Sequence, residues 1–377
     1  MSDGWRRTKL SALRRLGGVG AALAAGGRPP QRRLLLISDD REYTSEQQFA
    51  PIWRHRARLR RDLGLAVDWR PLDAMPEAGL AGWDMVGLKL SFRRPAEDAV
   101  AIVRRIAAAL AGTGTKLVYF DGDDDSAILW PELLGLCDLY VKKHRFQDET
   151  DYARVFIGKS NLTDHVARTT GRSFADDIIP RSGGIDPSAV ARLHLGWNIA
   201  LDDKIAGLDP HPPEAARSID ICSRAWVAPD NWLHGLRAPA IAALEALPDR
   251  WSVAVPRERV SQQAYYAEMR AARICVSPFG YGELCWRDFE AILCGCLLVK
   301  PDMGHIRTLP DLFVPGETYV PVAWDYGDLE AVCAPYLADE EARIAIAARA
   351  QRRLIGSLSA DAFIARMAEL LAAVERG

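Results

Sequence analysis

Glu283, Arg287 and Glu290 stand four and three residues apart in the stretch Ile274–Pro301, ICVSPFGYGELCWRDFEAILCGCLLVKP. At 3.6 residues per turn, that spacing puts two carboxylates and a guanidinium on one helical stripe. Carboxylates accept hydrogen bonds from hydroxyls, and a guanidinium forks onto phosphate. The set suits a ligand carrying both, such as a sugar nucleotide. A plainer reading is a solvated ladder in which Arg287 pairs with both glutamates, worth about 0.3–0.5 kcal/mol each.

The elements that must position these residues favour the first reading. An apolar run ends at Ser277-Pro278, and a turn with Gly280 and Gly282 follows. A helical pattern runs from about Leu284 to Cys294, Gly295 stops it, and Cys296-Leu297-Leu298-Val299 reads as a buried strand. Strand, glycine turn, helix and strand make a βαβ unit. Trp286, Phe289, Ile292 and Leu293 fall on the face a parallel sheet would cover. The helix N-terminus, just past the glycines, offers free N–H groups and a positive dipole end to an anion such as a diphosphate.

Before this unit, buried-strand runs occur at 33–37, 66–69, 85–90, 116–120 and 139–141, with helical patterns at 46–63 and 97–110. Alternation of this kind predicts a parallel sheet covered on both faces. Ligands of such sheets sit at the carboxyl ends of the strands, where Asp39, Asp40, Asp121, Asp123 and His144 lie. The pattern breaks near 200–218, where Asp209-Pro210-His211-Pro212-Pro213 is stiff. A second α/β series starts at Ile219, with a helix at 236–247, a strand at 251–255, a helix at 262–272 and a strand at 318–322. Helices from about Glu340 and Asp361 close the chain. The expected organisation is a basic N-terminal segment (1–30), a Rossmann-like domain (31–205), a linker (206–217), a second Rossmann-like domain (218–345) and C-terminal helices (346–377).

Composition narrows the function. Hydrophobic content of 49% and charged content of 26% describe an ordinary globular chain. A net charge of −2 argues against broad nucleic-acid binding, which needs a large positive surface. The seven cysteines show no paired metal spacing and read as core thiols of a reducing cytoplasm. No apolar run reaches the ~18–20 residues of a membrane span. Trp5, Arg6, Arg7, Lys9, Leu10, Leu13, Arg14, Arg15 and Leu16 make a short basic amphipathic pattern, either a frayed tail or a peripheral tether to an acidic membrane. Gly158-Lys159-Ser160 lacks the first glycine of a phosphate loop, since Ala153 stands there. Asn161-Leu162-Thr163 matches a glycosylation triplet with no secretory signal before it.

The stretch SPFGYGELCWRDFEAILCGCLLVKP resembles the carboxy-terminal donor-binding segment of exostosin-like glycosyltransferases, a GT-B-type group. Arg287, Glu290, Ala291, Gly295 and Cys296 carry the likeness. It is more distantly similar to the Glu-x7-Glu segment of retaining GT-B enzymes, although six residues separate Glu283 from Glu290 here. The resemblance implies two Rossmann-like domains with parallel sheets facing across a cleft, and a metal-independent hexosyltransferase with no cofactor. The donor would be a nucleoside-diphosphate sugar and the acceptor a glycan or lipid-linked sugar, as in bacterial surface polysaccharide synthesis. Glu290 would hold the ribose and Glu283 sugar hydroxyls. Arg224, Arg287, Lys300, Gly280 and Gly282 would surround the diphosphate, with Lys300 alternatively paired to Asp302. An inverting reaction would need a base, for which Asp39, Asp121 and Asp123 are candidates. Asp121–Asp125 also invites metal ligation, a helix-capping loop, or the aspartyl nucleophile of a haloacid-dehalogenase-like phosphatase, with Lys142 or Lys143 in support. A non-catalytic sugar-nucleotide-binding module is a further alternative.

Overall fold

The computed structural model describes residues 29–39, 47–74, 79–174 and 184–376. Asp40, Glu46 and the basic pattern at 5–16 lie outside the described residues. The first lobe holds β1 (Arg32–Ser38), β2 (Leu65–Pro71), β3 (Met85–Lys89), β4 (Lys116–Asp121) and β5 (Leu139–Lys142). After these come β6 (His144–Phe146), outside the main sheet, and β7 (Leu193–Leu195). The sheet order is β2-β1-β3-β4-β5-β7, parallel throughout. Its strands are near-continuous apolar runs because helices cover both faces; Leu34, Leu35, Leu36 and Ile37 are all buried.

The second lobe repeats the plan with β8 (Ile219–Cys222), β9 (Val253–Ala254), β10 (Ala272–Val276), β11 (Leu297–Pro301), β12 (Ile306–Thr308) and β13 (Val320–Val322). Its order is β13-β11-β10-β8-β9, again parallel. The two expected Rossmann-like sheets are therefore present. In each, strand order reverses once, at β1/β3 and at β8/β10, and such reversals open a crevice at the strands' carboxyl ends.

Several elements differ from the sequence expectation. The helical pattern at 46–63 is broken: a 3-10 turn (Gln47–Phe49) leads into helices Ala50–Arg54 and Arg56–Asp62, which meet at His55. β7 was not anticipated. Nor was the antiparallel pairing of β6 with β12, which joins the lobes through Phe146–Ile306 and His144–Thr308. The two C-terminal helices also part company. Helix Glu340–Ser357 packs on the second lobe, where the Gln351 amide donates to the carbonyl of Leu293 (3.0 Å). Helix Ala360–Arg376 crosses to the first lobe and buries Phe363, Met367, Leu370, Leu371 and Val374 against Leu34, Leu36, Leu65 and Val67. One apolar cluster runs through both lobes, joining Leu35 and Tyr119 to Phe289 and Leu298.

Candidate functional site

The site helix runs Trp286–Leu293, with Cys285 as its N-cap residue. It starts two residues later than expected, so Glu283 lies in the preceding turn and shares no stripe with Arg287 and Glu290. The anticipated Arg287–glutamate ladder does not form. Arg287 instead donates to Ser277 Oγ (3.0 Å), to the Pro278 carbonyl (2.7 Å) and to the Arg224 carbonyl (2.8 Å). It thereby ties the residues that follow β10 to those that follow β8, on either side of the reversal point.

Asp288, which the sequence reading passed over, closes the helix N-terminus. It accepts from the Cys285 amide (2.9 Å) and from Ser277 Oγ. It also pairs with Lys300 at 3.1 Å, both side chains being fully buried. Lys300 is therefore bound to Asp288, not Asp302, and lies 5.0 Å over the Phe279 ring. A buried, neutralised ammonium is not available to a diphosphate, and the helix end already has its carboxylate.

Glu290 is likewise occupied. Its oxygens accept from Tyr265 (2.9 Å), Tyr266 (3.0 Å) and Lys204 (2.6 Å), and Lys204 sits 4.6 Å over the Trp286 ring. Burial first, and the Glu290 charge second, push both phenols above their ordinary range. Arg224 forms a two-pronged pair with Glu268 and donates to the Glu258 carbonyl at 2.9 Å. Arg237, from helix His234–Glu245, enters the site unannounced by any motif. It donates Nε–H to the Phe279 carbonyl at 3.0 Å. Burial and the neighbouring Arg287 charge push it down to about 10.

The carboxyl ends of the two sheets meet at Glu283, which is fully buried. Three groups of the first lobe donate to it: Ser126 (2.9 Å), the Asn161 amide (3.0 Å) and His144 Nε2 (3.2 Å). His305 of the second lobe stands 3.5 Å away. Burial pushes Glu283 up, but the His144 and His305 contacts outweigh it and hold the carboxyl well below its usual value. Burial also lowers His144, so a neutral ring donates to an ionised Glu283. Gly282 does not address a phosphate: a Cβ there would lie 1.5 Å from the Asp124 carbonyl oxygen, so its role is to let the lobes touch. Gly280 closes the turn, its amide donating to the Gly282 carbonyl at 3.0 Å.

The acidic loop after β4 is matched lysine for aspartate. Asp121 pairs with Lys142 (3.0 Å), Asp123 with Lys89 (2.9 Å), Asp124 with Lys143 (2.6 Å) and Asp125 with Lys159 (2.9 Å). Asp121 is sealed and also accepts from Tyr140 at 2.8 Å. Burial raises its pKa, but Lys142 and Lys89 bring it below the ordinary carboxylate value. A buried, acidified carboxylate is a poor base and a poor nucleophile, so Asp121 is a brace and the phosphatase reading loses its attacking group. Asp125 goes the other way, raised by burial. Asp39 pairs with Arg94.

Residues 228–372 match the protein family described as Glycosyl transferase-like. The match takes in the site helix, Arg237 and Glu283, and ends within the last helix. Solved structures similar to this chain include Alr3699/HepE of Anabaena in complex with UDP-glucose, at 13% identity, with 91% of this chain and 100% of that one covered and a TM-score of 0.46. A Rickettsia africae glycosyltransferase is similar at 10% identity, 92% and 100% coverage and a TM-score of 0.47. A Burkholderia multivorans trehalose 6-phosphate synthase is similar at 12% identity, 91% and 100% coverage and a TM-score of 0.39. No match was found among curated protein sequences. No helix among the described residues is long and apolar enough to cross a membrane.

Proposed function

We propose that this protein transfers a sugar from a nucleoside-diphosphate sugar to a glycan or lipid-linked acceptor, in the cytoplasm and without a metal ion, as a step of bacterial surface polysaccharide synthesis. One observation carries the reading. The reversal point of a glycosyltransferase-family lobe opens toward a junction where Glu283 collects hydrogen-bond donors from both lobes. That junction is the place for a sugar ring, whose hydroxyls can exchange with the Ser126, Asn161 and His144 donors on Glu283. A ribose diol takes the place of one tyrosine hydroxyl on Glu290. If the anomeric centre inverts, the base is drawn from Asp39, Asp123 and Asp125. Asp125 is the best matched of these, because burial raises its pKa toward the working range of a base. The basic pattern at 5–16 would hold the enzyme near its acceptor on an acidic membrane face.

Calorimetry of the full chain against UDP-, GDP- and ADP-sugars, with and without EDTA, tests this, with chromatography to follow release of the diphosphate. Binding of one nucleotide class, unchanged by EDTA, and turnover with a glycan acceptor are expected. Binding without turnover under every acceptor tried would leave a sugar-nucleotide-binding module. Phosphate release without nucleotide binding would restore a phosphohydrolase.

A further inference from the structure

The donor site needs cations for a diphosphate, and two of the three expected from the sequence are already spent. Arg224 is held by both oxygens of Glu268, and Lys300 is buried against Asp288. A phosphate arriving at either must displace a carboxylate that is covalently tethered nearby, so the net attraction is small.

Arg237 is different. Its guanidinium makes one hydrogen bond through Nε, to the Phe279 carbonyl, and Nη1 and Nη2 have no acceptor among the described residues. The side chain is half-buried, and Nη2 lies 3.9 Å from the position a Cβ on Gly280 would occupy. Arg287 stands behind it, donating to the adjacent carbonyl, that of Pro278. Neither arginine has an ion-pair partner among the described residues. Two guanidinium groups thus grip consecutive carbonyls of one turn, at the reversal point of the sheet. Like charges held together in a partly dry crevice repel, and the lowering of Arg237 by burial and Arg287 shows that cost. An oxyanion at the open fork removes it and makes a two-pronged, charge-assisted contact.

We infer that Arg237, backed by Arg287, is the diphosphate-binding fork of this protein, in the place expected for Arg224 and Lys300. Arg237 presents two N–H groups to the diphosphate at the Gly280 turn. Arg287 keeps the turn in shape and adds its field. This inference rests on the nucleotide-sugar reading above and names the anion contact within it.

The experiment is calorimetry of the full chain with UDP, GDP, ADP and inorganic pyrophosphate, using wild type, Arg237→Gln, Arg237→Lys and Arg224→Gln. The matching nucleosides without phosphate are run alongside. For the nucleotide that binds wild type, Arg237→Gln should weaken binding by at least about tenfold, the scale of a lost charge-assisted contact. Pyrophosphate affinity should fall in step and nucleoside affinity should hold. Arg237→Lys keeps charge without the fork and should fall between. Arg224→Gln should change diphosphate affinity by less than about threefold, the scale of a site already neutralised. Equal binding by wild type and Arg237→Gln, both melting at wild-type temperature, overturns the assignment, as does a larger loss in Arg224→Gln. Binding of pyrophosphate through Arg237 with no nucleotide recognised keeps the anion site and overturns the nucleotide-sugar reading. Nucleotide binding indifferent to Arg237 does the reverse.

Discussion

The partners of a buried charged side chain set what it can do. Asp121 shows it most clearly. An aspartate just past a buried strand has the appearance of a nucleophile or a base, yet Lys142 and Tyr140 enclose it. Both members of the Asp121–Lys142 pair are buried, so removing one charge strands the other. Asp121→Asn should therefore destabilise the protein by about 3–5 kcal/mol. A urea titration followed by fluorescence would show a lower midpoint at unchanged slope, and Asp121→Asn combined with Lys142→Met should recover part of the loss. If Asp121→Asn instead keeps the wild-type midpoint while abolishing turnover, Asp121 is a catalytic group and the bracing role is wrong. The same logic explains why the site was only partly legible. Glu283, Arg287 and Glu290 are close together in the chain, but their partners Ser126, Arg224 and Lys204 lie far off in it. Spacing along a helix carries no trace of them. Arg237 was missed for a related reason, since one arginine in HGLRAPAIAALE marks only a helix until the fold sets it against Phe279 and Arg287.

Elements were read best where they are long, apolar and periodic, and worst where a partner from elsewhere decides the boundary. The helix Ala96–Leu110 buries Ala99, Val103, Ile106 and Leu110, a pattern visible in the residues themselves. The residue pattern places the start of the site helix too early because its N-cap is a cysteine, with Asp288 supplying the capping acceptor. The break at His55 has no signal in the residues around it; the His55 ring lies 5.3 Å from Phe363 of the last helix. That contact has a consequence in acid. Burial, then the Arg54 and Arg58 charges, lower His55 from 6.5 to about 4, with Asp203 opposing. Between those values the unfolded chain binds the proton and the folded one does not. Stability must therefore rise with pH there, and it is lost as pH falls from 6.5 toward 4. His55→Phe removes this titration while keeping a ring on Phe363. The wild-type melting temperature should drop more steeply than that of His55→Phe between pH 7 and pH 5, the other lowered histidines giving both a common slope. Parallel curves would show that His55 is not strained by protonation.

On the scale of the molecule, two sheets with matching topology could be read from the chain, but their union could not. The stiff segment around Asp209–Pro213 marks where the chain passes between lobes, and it suggested two bodies joined by a linker. Instead a three-residue ladder, the last helix, a shared apolar cluster and the Glu283 junction hold them together. Each of these is too short or too non-local to announce itself. The tightest point is Gly282. A methyl group there would sit 1.5 Å from the carbonyl oxygen and 2.3 Å from the carbonyl carbon of Asp124, both backbone atoms of the opposite lobe. No rotamer change relieves such an overlap, so either the turn or the lobes must move. Ordinary overpacking costs about 1–3 kcal/mol, and a backbone collision belongs at or above the upper end. Gly280, by contrast, has the Cys285 Cβ at 3.3 Å, a contact that a small shift absorbs. Gly282→Ala should thus melt a few degrees below wild type, on the scale of about 1 °C per kcal/mol for a chain of this size. Small-angle scattering should show a larger radius of gyration, because Glu283 can no longer reach its donors on the first lobe. Gly280→Ala should leave the scattering curve unchanged. If Gly282→Ala matches wild type in both melting and scattering, the lobes do not meet at this glycine, and the junction around Glu283 is not assembled as described.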